Sequence, residues 1–502
     1  MDVISAISNL RNTAGPRRTE GLDDATITRF AALDAALPAA IAQATEAKER
    51  VDDATRAAIA GPEAELVRDL QDDFVNFYSA ATVNPYIPLA AKGPWIVTTH
   101  GAVIHDNGGY GMLGAGHAPE HVLKAMNAPH VMANVMTPSL SHKRFTEAMK
   151  REVGQRRGGS PFGRFMCINS GSDAMMVASR IADHHTLRQI GPGGPKQGWS
   201  TKMLSLRGSF HGRTRRPAMA SHSSLPTYEA QLASFRDRHV WVCPPNDVAT
   251  LHRLFDTAED QRTFLELVMI EPVMGEGNPG MAVTREFYDA VRERTLAHGS
   301  MLVVDSVQAG LRTTGYLSFV DYPGFEDAVP PDMEAWSKAL NAGQYPLSVL
   351  GLTDRAADEY VRGVYGNTMT TNPRALDVAV AVLEGLTPEL RQNIQDRGAQ
   401  FVEGLLKLQQ RFPGIVQTVQ GTGLLCSAEM DPERMPVVGF DGLEMWCRTH
   451  GLGLIHGGKN AVRLTPWFGI TAAEVDLVIE KLGEGIETLL AQEGPRVVRA
   501  AL

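Results

Sequence analysis

Residues 302–310 read LVVDSVQAG, and residues 334–346 read EAWSKALNAGQYP. The apolar run before Asp305 predicts a buried strand that ends on an acid, and burying an acid is costly unless a cationic group meets it. Lys338 also follows an apolar run, and a lysine that has lost its water is more often neutral and nucleophilic. Taken alone, the two residues fit a surface lysine and an ordinary strand-end acid better than a reactive pair.

Short apolar runs alternate with longer amphipathic stretches from about residue 91 onward. Most runs are separated by enough residues for a crossover helix, which predicts an α/β domain with a largely parallel sheet. From about residue 385 the order helix, strand, helix predicts a smaller α+β domain. Residues 22–82, including Phe74 and Phe77, show helical spacing and predict a helical extension. The predicted strands include residues 165–168, 202–206, 239–243, 266–270 and 301–305.

The composition is typical of an ordinary globular protein with two or three domains. The chain has 502 residues and a formal charge of −9, which argues against a nucleic-acid partner. Four cysteines without a CxxC pair predict reduced thiols, and no metal site is predicted. We find no apolar run long enough to cross a bilayer and no secretory signal, so we expect a cytoplasmic protein without membrane contact.

A turn rich in hydroxyls and glycine follows the predicted strand at residues 165–168. It reads NSGSDA from Asn169 and leads into a helix. Its hydroxyls, its flexible glycine and the free amides of a helix N-terminus predict an anion site formed by Ser170, Gly171 and Ser172. A simple strand–turn–helix connection capped by Ser172 explains the same letters equally well.

The loop LRGSFHGRT at residues 206–214 carries groups suited to a planar, charged ligand. Phe210 can stack on a flat ring, and Arg213 offers a forked donor that matches a carboxylate. His211 by itself is more often a hydrogen-bonded structural residue than a catalyst. In isolation the loop fits a turn with a surface arginine.

Five further polar residues lie at strand ends and in turns. Glu271 ends a predicted strand, and Glu276 lies between glycines, which fits a mobile loop at the mouth of a site or a plain surface turn. Gln308 follows the strand-end acid by three residues and can face the same side. Thr368 lies among small polar residues that suit an oxyanion or simple turn chemistry. Arg463 ends another predicted strand and suits a substrate carboxylate or an acid of the protein.

The order and spacing of these stretches together resemble the class III aminotransferases, which are pyridoxal-phosphate enzymes of fold type I. The resemblance covers about residues 91–490 and is carried by GHAP (residues 116–119), NSGSDA, FHGRT, EPVMGEG, DSVQAGLRTTG, WSKAL, GNTMTTNP and RLTPW. The N-terminal helical extension (1–90) lies outside the resemblance. Within the resemblance we expect the N-terminal part of a small domain (91–135), a large cofactor-binding domain (136–384) and a C-terminal small domain (385–502).

The resemblance implies that pyridoxal 5'-phosphate is the cofactor and assigns its contacts. Lys338 is the Schiff-base lysine that moves the proton, and Asp305 pairs with the pyridine nitrogen. The other implied cofactor contacts are Ser170, Gly171 and Ser172 at the phosphate, Thr368 reaching that phosphate from the other subunit, Phe210 stacked on the ring, His211 and Glu271 nearby, and Gln308 at the ring oxygen.

The resemblance also implies the substrates and the assembly. Arg213 matches the arginine that binds a carboxylate in the ornithine, acetylornithine, lysine and 4-aminobutyrate branches. Glu276 and Arg463 match a pair that opens or closes to admit different substrates. We therefore expect a donor with a terminal amine and a carboxylate, a 2-oxo acid such as 2-oxoglutarate as acceptor, and a homodimer with shared active sites.

Several departures and alternatives leave the substrate open. The family usually has glutamate where this chain has Ser306, and Trp467 stands where a second proline is common. A racemase, aminomutase or decarboxylase on the same fold is an alternative. Residues 109–114 also match the GxGxxG pattern of NAD-dependent dehydrogenases, but a lone match is weak and no strand-end acid follows about 20 residues later. A non-catalytic scaffold is a third alternative, which the presence of the lysine and the acid disfavours.

Overall fold

The computed structural model describes residues 2–109, 111–132, 135–235 and 239–492. Within these residues the chain forms three β-sheets, one of seven strands and two of four, with helices packed around them. The α/β fold class expected from the sequence is confirmed. Tyr110 of the glycine-rich segment and part of the stretch that follows it lie outside the described residues.

The first part of the chain is helical. Its helices are α1 (Val3–Asn12), α2 (Asp24–Leu33), α3 (Ala36–Arg50), α4 (Asp53–Ile59) and α5 (Glu63–Asp72). Side chains of Asp2, Asp23 and Asp52 cap α1, α2 and α4, and α1 lies ahead of the predicted helical range. The buried faces of α1 to α3 pack on Trp95 and Val97, so the extension is anchored on the body of the protein.

Residues 73–79, which follow α5, are not helical, and a short 3-10 turn follows them at Ala80–Thr82. The spacing of Phe74 and Phe77 predicted a helix there, which is wrong because α5 ends before them. Asn76 donates from Nδ2 to Gln71 Oε1 at 3.1 Å and accepts at Oδ1 from the Tyr78 amide at 2.9 Å. Such local side-chain bonds offer the backbone an alternative to the helical pattern.

A small sheet joins distant parts of the chain. β1 (Pro88–Lys92), β2 (Trp95–Thr98) and β3 (Val103–Asp106) pair antiparallel in that order. The short strand β13 (Leu452–Gly453) then adds in parallel to β3. Residues near 100 and residues near 450 therefore share one sheet.

The central sheet is largely parallel, as the sequence predicted. Its strands are β4 (Arg164–Ile168), β5 (Ser200–Leu206), β6 (Val240–Cys243), β7 (Thr263–Ile270), β8 (Met301–Asp305), β9 (Met333–Trp336) and β10 (Ser348–Leu352). The spatial order is β4-β10-β9-β8-β7-β5-β6, and only β10 runs antiparallel to its neighbours among these strands. All residues of β7 and β8 are buried, which explains their continuous apolar sequence.

Helices cover both faces of this sheet. They are α6 (Glu120–Met126), α7 (Leu140–Glu152), α8 (Gly171–Ile190), α9 (Arg215–Ala220), α10 (Leu225–Gln231), α11 (Val248–Asp260), α12 (Arg285–His298), α13 (Asp354–Ala357) and α14 (Pro373–Glu384). The long α8 packs with Leu267 and Met269 of β7 on one face, whereas α11 and α12 pack with Val268 and Ile270 on the other.

The C-terminal part is an α+β unit. It consists of α15 (Pro388–Arg411), β11 (Val416–Thr422), β12 (Leu425–Met430), α16 (Leu443–Thr449), β14 (Ile455–Gly457), β15 (Ala461–Leu464) and α17 (Ala472–Gln492). Its strands form an antiparallel sheet in the order β11-β12-β15-β14. Among the described helices, none alone is long and apolar enough to span a membrane. α2 and α3 reach that length and composition only together, and the pair is bent by 114°.

The sheet direction decides where polar side chains meet. β4, β5, β7, β8 and β9 all run the same way, so their carboxyl ends open on one edge, where open α/β sheets bind ligands. Asp305 is the last residue of β8, and Glu271 follows β7 directly. Lys338 follows β9 by two residues, which brings it to the same edge.

Candidate active site

A cavity of about 370 Å³ opens at this edge of the central sheet. Its volume lies within the range of roughly 300–1,000 Å³ that is usual for cofactor and ligand sites. Many of the predicted site residues line it: Ser170, Gly171, Ser172, Phe210, His211, Glu271, Asp305, Gln308 and Lys338. The cavity therefore gathers predicted site residues that are up to 168 positions apart in the sequence, from Ser170 to Lys338.

Lys338 begins a short 3-10 turn, Lys338–Asn341, beside the cavity. Its φ of +45° lies in the left-handed region, which costs a residue other than glycine about 1–3 kcal/mol. Burial lowers the pKa of its amine to about 8, and Arg463 adds to this shift while nearby carboxylates oppose it. More of the amine is therefore neutral near pH 7 than in an exposed lysine.

Asp305 is buried at the end of β8 and its carboxylate has two contacts. His211 Nδ1 lies 2.9 Å from Asp305 Oδ2, and the Val307 amide lies 3.2 Å from Oδ1. His211 is also buried, and its amide donates to Ser221 Oγ at 2.8 Å. The imidazole is thus the partner that a buried strand-end acid requires.

Glu271 connects the loops that follow β5 and β7 by hydrogen bonds. Its two carboxyl oxygens accept from the amides of Phe210 and Gly275, both at 2.9 Å. Burial raises the pKa of Glu271 to about 7. The Glu271 carboxyl thus holds the backbone of Phe210, whose ring lines the cavity.

The first turn of α8 lies at the cavity wall. Ser170 caps the helix by accepting from the Asp173 amide at 3.2 Å, so the cap is Ser170 and not Ser172. Gly171 and Ser172 supply first-turn amides that have no acceptor within the helix, a favourable place for an anion. A Cβ on Gly212 would lie 2.5 Å from Ser172 Oγ, so only glycine allows this close approach.

Arg463 on β15 brings the C-terminal sheet against the cavity. It is fully buried, and Nη1 donates to Glu276 Oε2 at 2.9 Å and to Gln308 Oε1 at 3.2 Å. Burial alone would raise the pKa of Glu276, but the Arg463 and Lys338 cations outweigh it and hold that pKa below its usual value. Glu276 and Arg463 are therefore an ion pair next to a cavity-lining side chain.

Arg213 lies in the exposed loop after Gly212 and is not among the described residues that line the cavity. Its guanidinium centre is 5.4 Å from the ring of the cavity residue Phe210 and 5.2 Å from the ring of Phe77. Tyr78 lies at 5.9 Å. The sequence interpretation missed Phe77 and Tyr78 because it assigned that stretch to a helix.

Thr368 lies on an exposed turn. Of the described cavity-lining residues of this chain, none belongs to the segment 365–373 that contains it. The expected contact of Thr368 with a phosphate across a subunit boundary therefore stays a prediction.

The cavity also contains residues that the sequence did not single out. They are Met112, Asn169, Val307, Ser337, Asn341, Gly343, Tyr345 and Pro346. A signal for one of them was present, since Met112 belongs to the glycine-rich segment 109–114. Gly111 has a φ of +80°, which favours glycine, and a Cβ there would be in ordinary contact with Lys338 Cδ at 3.8 Å, so the segment lies beside the lysine. The segment follows the antiparallel strand β3, which does not fit the dinucleotide-binding alternative.

The donor set fits pyridoxal phosphate. The α8 amides suit a phosphate, the buried Asp305 carboxylate suits a pyridinium nitrogen, and the largely desolvated Lys338 amine suits a carbonyl. The mostly parallel sheet and this set of groups define a pyridoxal-phosphate enzyme of fold type I.

Residues 78–486 match the family model described as aminotransferase class-III, and the chain belongs to this family. An acetylornithine aminotransferase, mitochondrial, of Neurospora crassa is 26% identical over 443 residues, 86% of this chain and 89% of the relative. An acetylornithine/succinyldiaminopimelate aminotransferase of Yersinia pestis is 26% identical over 410 residues, 81% and 94% of the two chains.

Solved structures share the fold. An ornithine aminotransferase from Toxoplasma gondii superposes with a TM-score of 0.73 at 22% identity, covering 88% of this chain and all of that one. A transaminase from the marine bacterium Virgibacillus gives 0.70 at 19% identity over 86% of this chain and all of that one. The chain is a pyridoxal-phosphate-dependent transferase that moves an amino group to a 2-oxo acid, and neither the dehydrogenase nor the scaffold alternative is supported.

Proposed function

We propose that the protein transfers the terminal amino group of a carboxylate-bearing donor to a 2-oxo acid such as 2-oxoglutarate. The observation that carries this proposal is the Lys338 amine, with a pKa of about 8, in one cavity with the buried Asp305 carboxylate and beside the Glu276–Arg463 ion pair. Relatives named acetylornithine aminotransferase support a donor of this kind.

Lys338 would hold the cofactor through its amine, and the same amine would then move the proton. When bound, pyridoxal phosphate supplies an electron sink for the negative charge left on the substrate carbon. Lys338 Nζ takes the proton from that carbon, because its lowered pKa leaves the amine able to act as a general base near neutral pH. Asp305, oriented by His211, holds a positive charge at the ring nitrogen.

The α8 end and the aromatic wall hold the cofactor in place. Ser170, Gly171 and Ser172 would hold the phosphate at the helix N-terminus, and Phe210 would stack on the ring. Gln308 would donate from its amide nitrogen to the ring oxygen, since its Oε1 already accepts from Arg463. His211 and Glu271 support this wall through Asp305 and through the Phe210 amide.

The Glu276–Arg463 pair serves two substrates in turn. With the ion pair closed, as in this structure, Arg463 is neutralised and the site favours a donor whose reacting end carries no second carboxylate. A 2-oxo dicarboxylate needs Arg463 released from Glu276. Losing a charge-assisted contact costs on the order of 1.5–3 kcal/mol, which the incoming carboxylate offsets.

The proposal includes a homodimer in a reducing compartment. Val131, Met132, Val135, Met136 and Met369 are exposed apolar side chains in segments 130–140 and 365–373, which suits burial against a second copy. Thr368 would then contribute to the partner's phosphate site. Four free, buried cysteines fit the cytoplasm.

A half-reaction screen tests the donor class. The purified enzyme with pyridoxal phosphate is mixed with one amine at a time, and loss of the cofactor's visible absorbance is followed. We expect ω-amino acids to react faster than α-amino acids of equal length, and 2-oxoglutarate to restore the absorbance. A faster reaction with α-amino acids would refute the donor class, and unchanged absorbance with every amine would refute aminotransfer.

A further inference from the structure

An irregular segment of the N-terminal extension reaches the mouth of the active site. This segment, residues 73–79, is called the aromatic arm here. Asn76 folds it back by bonding the Gln71 side chain and the Tyr78 amide, at 3.1 and 2.9 Å. Within the arm, the rings of Phe77 and Tyr78 lie 4.3 Å apart. The arm thus presents two adjacent aromatic rings next to a turn that Asn76 stabilises.

Both rings meet one cation. The Arg213 guanidinium lies 5.2 Å from the Phe77 ring and 5.9 Å from the Tyr78 ring, and it also bonds the Tyr78 side chain. The Phe210 ring lies at 5.4 Å, and the guanidinium approaches the Tyr228 hydroxyl at 3.4 Å. Aromatic faces attract a guanidinium and restrict its rotation.

The rings leave donor capacity on Arg213. A guanidinium carries five N–H donors, and aromatic faces use the plane of the group rather than its edge. Within the part of the chain that the structure describes, no carboxylate pairs with Arg213. The contacts of its guanidinium are hydroxyls and aromatic rings. An oriented cation with aromatic neighbours, beside the cavity that Phe210 lines, suits the carboxylate of an incoming molecule.

We propose that Phe77 and Tyr78 are specificity-determining residues that position Arg213 for the carboxylate of the amino donor. This inference rests on the proposed function. It extends that function to the N-terminal extension, since Phe77 lies just before the region that matches the family model. The N-terminal extension thereby acquires a role in the active site. The ligand class is a primary amine with a carboxylate at the other end of a carbon chain.

The arm contains its own matched control. Phe74 and Phe77 are 74% and 73% exposed, and both are phenylalanines of the same arm. Of the two, only Phe77 has a described ring contact with Arg213. Removing either ring therefore changes the surface by a similar amount, but only one removal affects the guanidinium.

The test compares two donors of equal chain length, 5-aminopentanoate and pentylamine. Exposed cation–π contacts are weak, so we expect Phe77→Ala to raise the KM for 5-aminopentanoate about twofold to fivefold, with kcat nearly unchanged. Pentylamine kinetics should not change, and Phe74→Ala should match the parent with both donors. Adding Tyr78→Phe to Phe77→Ala should enlarge the effect on the carboxylated donor only.

Binding of pentanoate, which has no amine, separates this inference from the proposed function. By calorimetry with the holoenzyme, pentanoate should bind the parent and Phe74→Ala equally and Phe77→Ala more weakly, whatever the enzyme does with amines. Equal pentanoate binding by all three proteins would overturn the inference. An equal loss with both donors, or a Phe74→Ala effect as large as that of Phe77→Ala, would also overturn it.

Discussion

His211 Nδ1 lies 2.9 Å from Asp305 Oδ2, and both side chains are buried. The contact engages one carboxylate oxygen, while the Val307 amide donates to the other. A buried carboxylate without such partners would be unstable, so the loop after β5 and the end of β8 depend on each other. The role proposed for Asp305 is to hold a positive charge at the cofactor's ring nitrogen. This dependence connects that role with His211, which lies 94 positions earlier.

Asp305→Asn should keep the cofactor but slow proton removal severely. An amide cannot hold a positive charge at the ring nitrogen, so the bound cofactor becomes a poor electron sink. We expect a loss of at least about 100-fold, or roughly 3 kcal/mol of barrier, in single-turnover rates with saturating donor. Rates close to those of the parent would show that Asp305 is only structural.

Cofactor attachment should follow the lowered pKa of Lys338. Only the neutral amine attacks a carbonyl, so the attachment rate to the cofactor-free protein should rise with pH and level off above about pH 8. An ordinary lysine would give a continued rise toward its usual pKa of about 10.4. Because Glu276 raises the lysine pKa, Glu276→Gln should move the midpoint to lower pH. Stopped-flow absorbance measures both, and a midpoint near 10 would contradict the burial of the amine.

Glu276→Ala should shift substrate preference toward second carboxylates. Removing the carboxylate leaves Arg463 available, so kcat/KM for an α-amino dicarboxylic acid should rise relative to that for an ω-amino acid, by about tenfold. Steady-state kinetics with both donors give the ratio. An equal decrease for both would mean that Glu276 only supports the fold around Arg463.

The sequence predicted the parts of this structure that depend on local pattern. The central strands were identifiable because helices bury both of their faces, and the site followed because parallel strands end on one edge. Asp305 and Lys338 lie at that edge for this reason. The antiparallel strand β10 and the pairing of β13 with β3 were not predicted, because they depend on contacts between distant segments.

Side-chain interactions across the fold could not be predicted from spacing. Phe77 has helical periodicity with its neighbours, yet α5 ends at Asp72 and the Phe77 ring lies 5.2 Å from the Arg213 guanidinium. Ser306 stood out only as a departure from the resemblance. In the structure, Ser306 Oγ donates to Glu334 Oε1 at 2.6 Å, so a carboxyl on the neighbouring strand meets it. This contact cannot be inferred from the sequence, because it depends on the end of β8 and on β9 lying side by side.

Glu334 should make stability depend on pH. It is fully buried on β9, and burial raises the pKa of its carboxyl to about 7. Between its unfolded pKa near 4.5 and about 7 the folded state binds the extra proton, so stability falls as pH rises through this window. The shift corresponds to on the order of 3 kcal/mol. Urea unfolding at pH 5 and pH 8 should show a smaller difference for Glu334→Gln than for the parent, and an equal difference would contradict the assignment.

The most direct test of the central claim is to locate the cofactor chemically. Borohydride treatment of the yellow holoenzyme, followed by peptide mass spectrometry, should find a phosphopyridoxyl group on Lys338 and on no other lysine. Lys338→Ala should still bind pyridoxal phosphate without a covalent link and should lose transamination. A label on a different lysine, or Lys338→Ala activity within about tenfold of the parent, which is roughly 1.4 kcal/mol in barrier, would contradict the account.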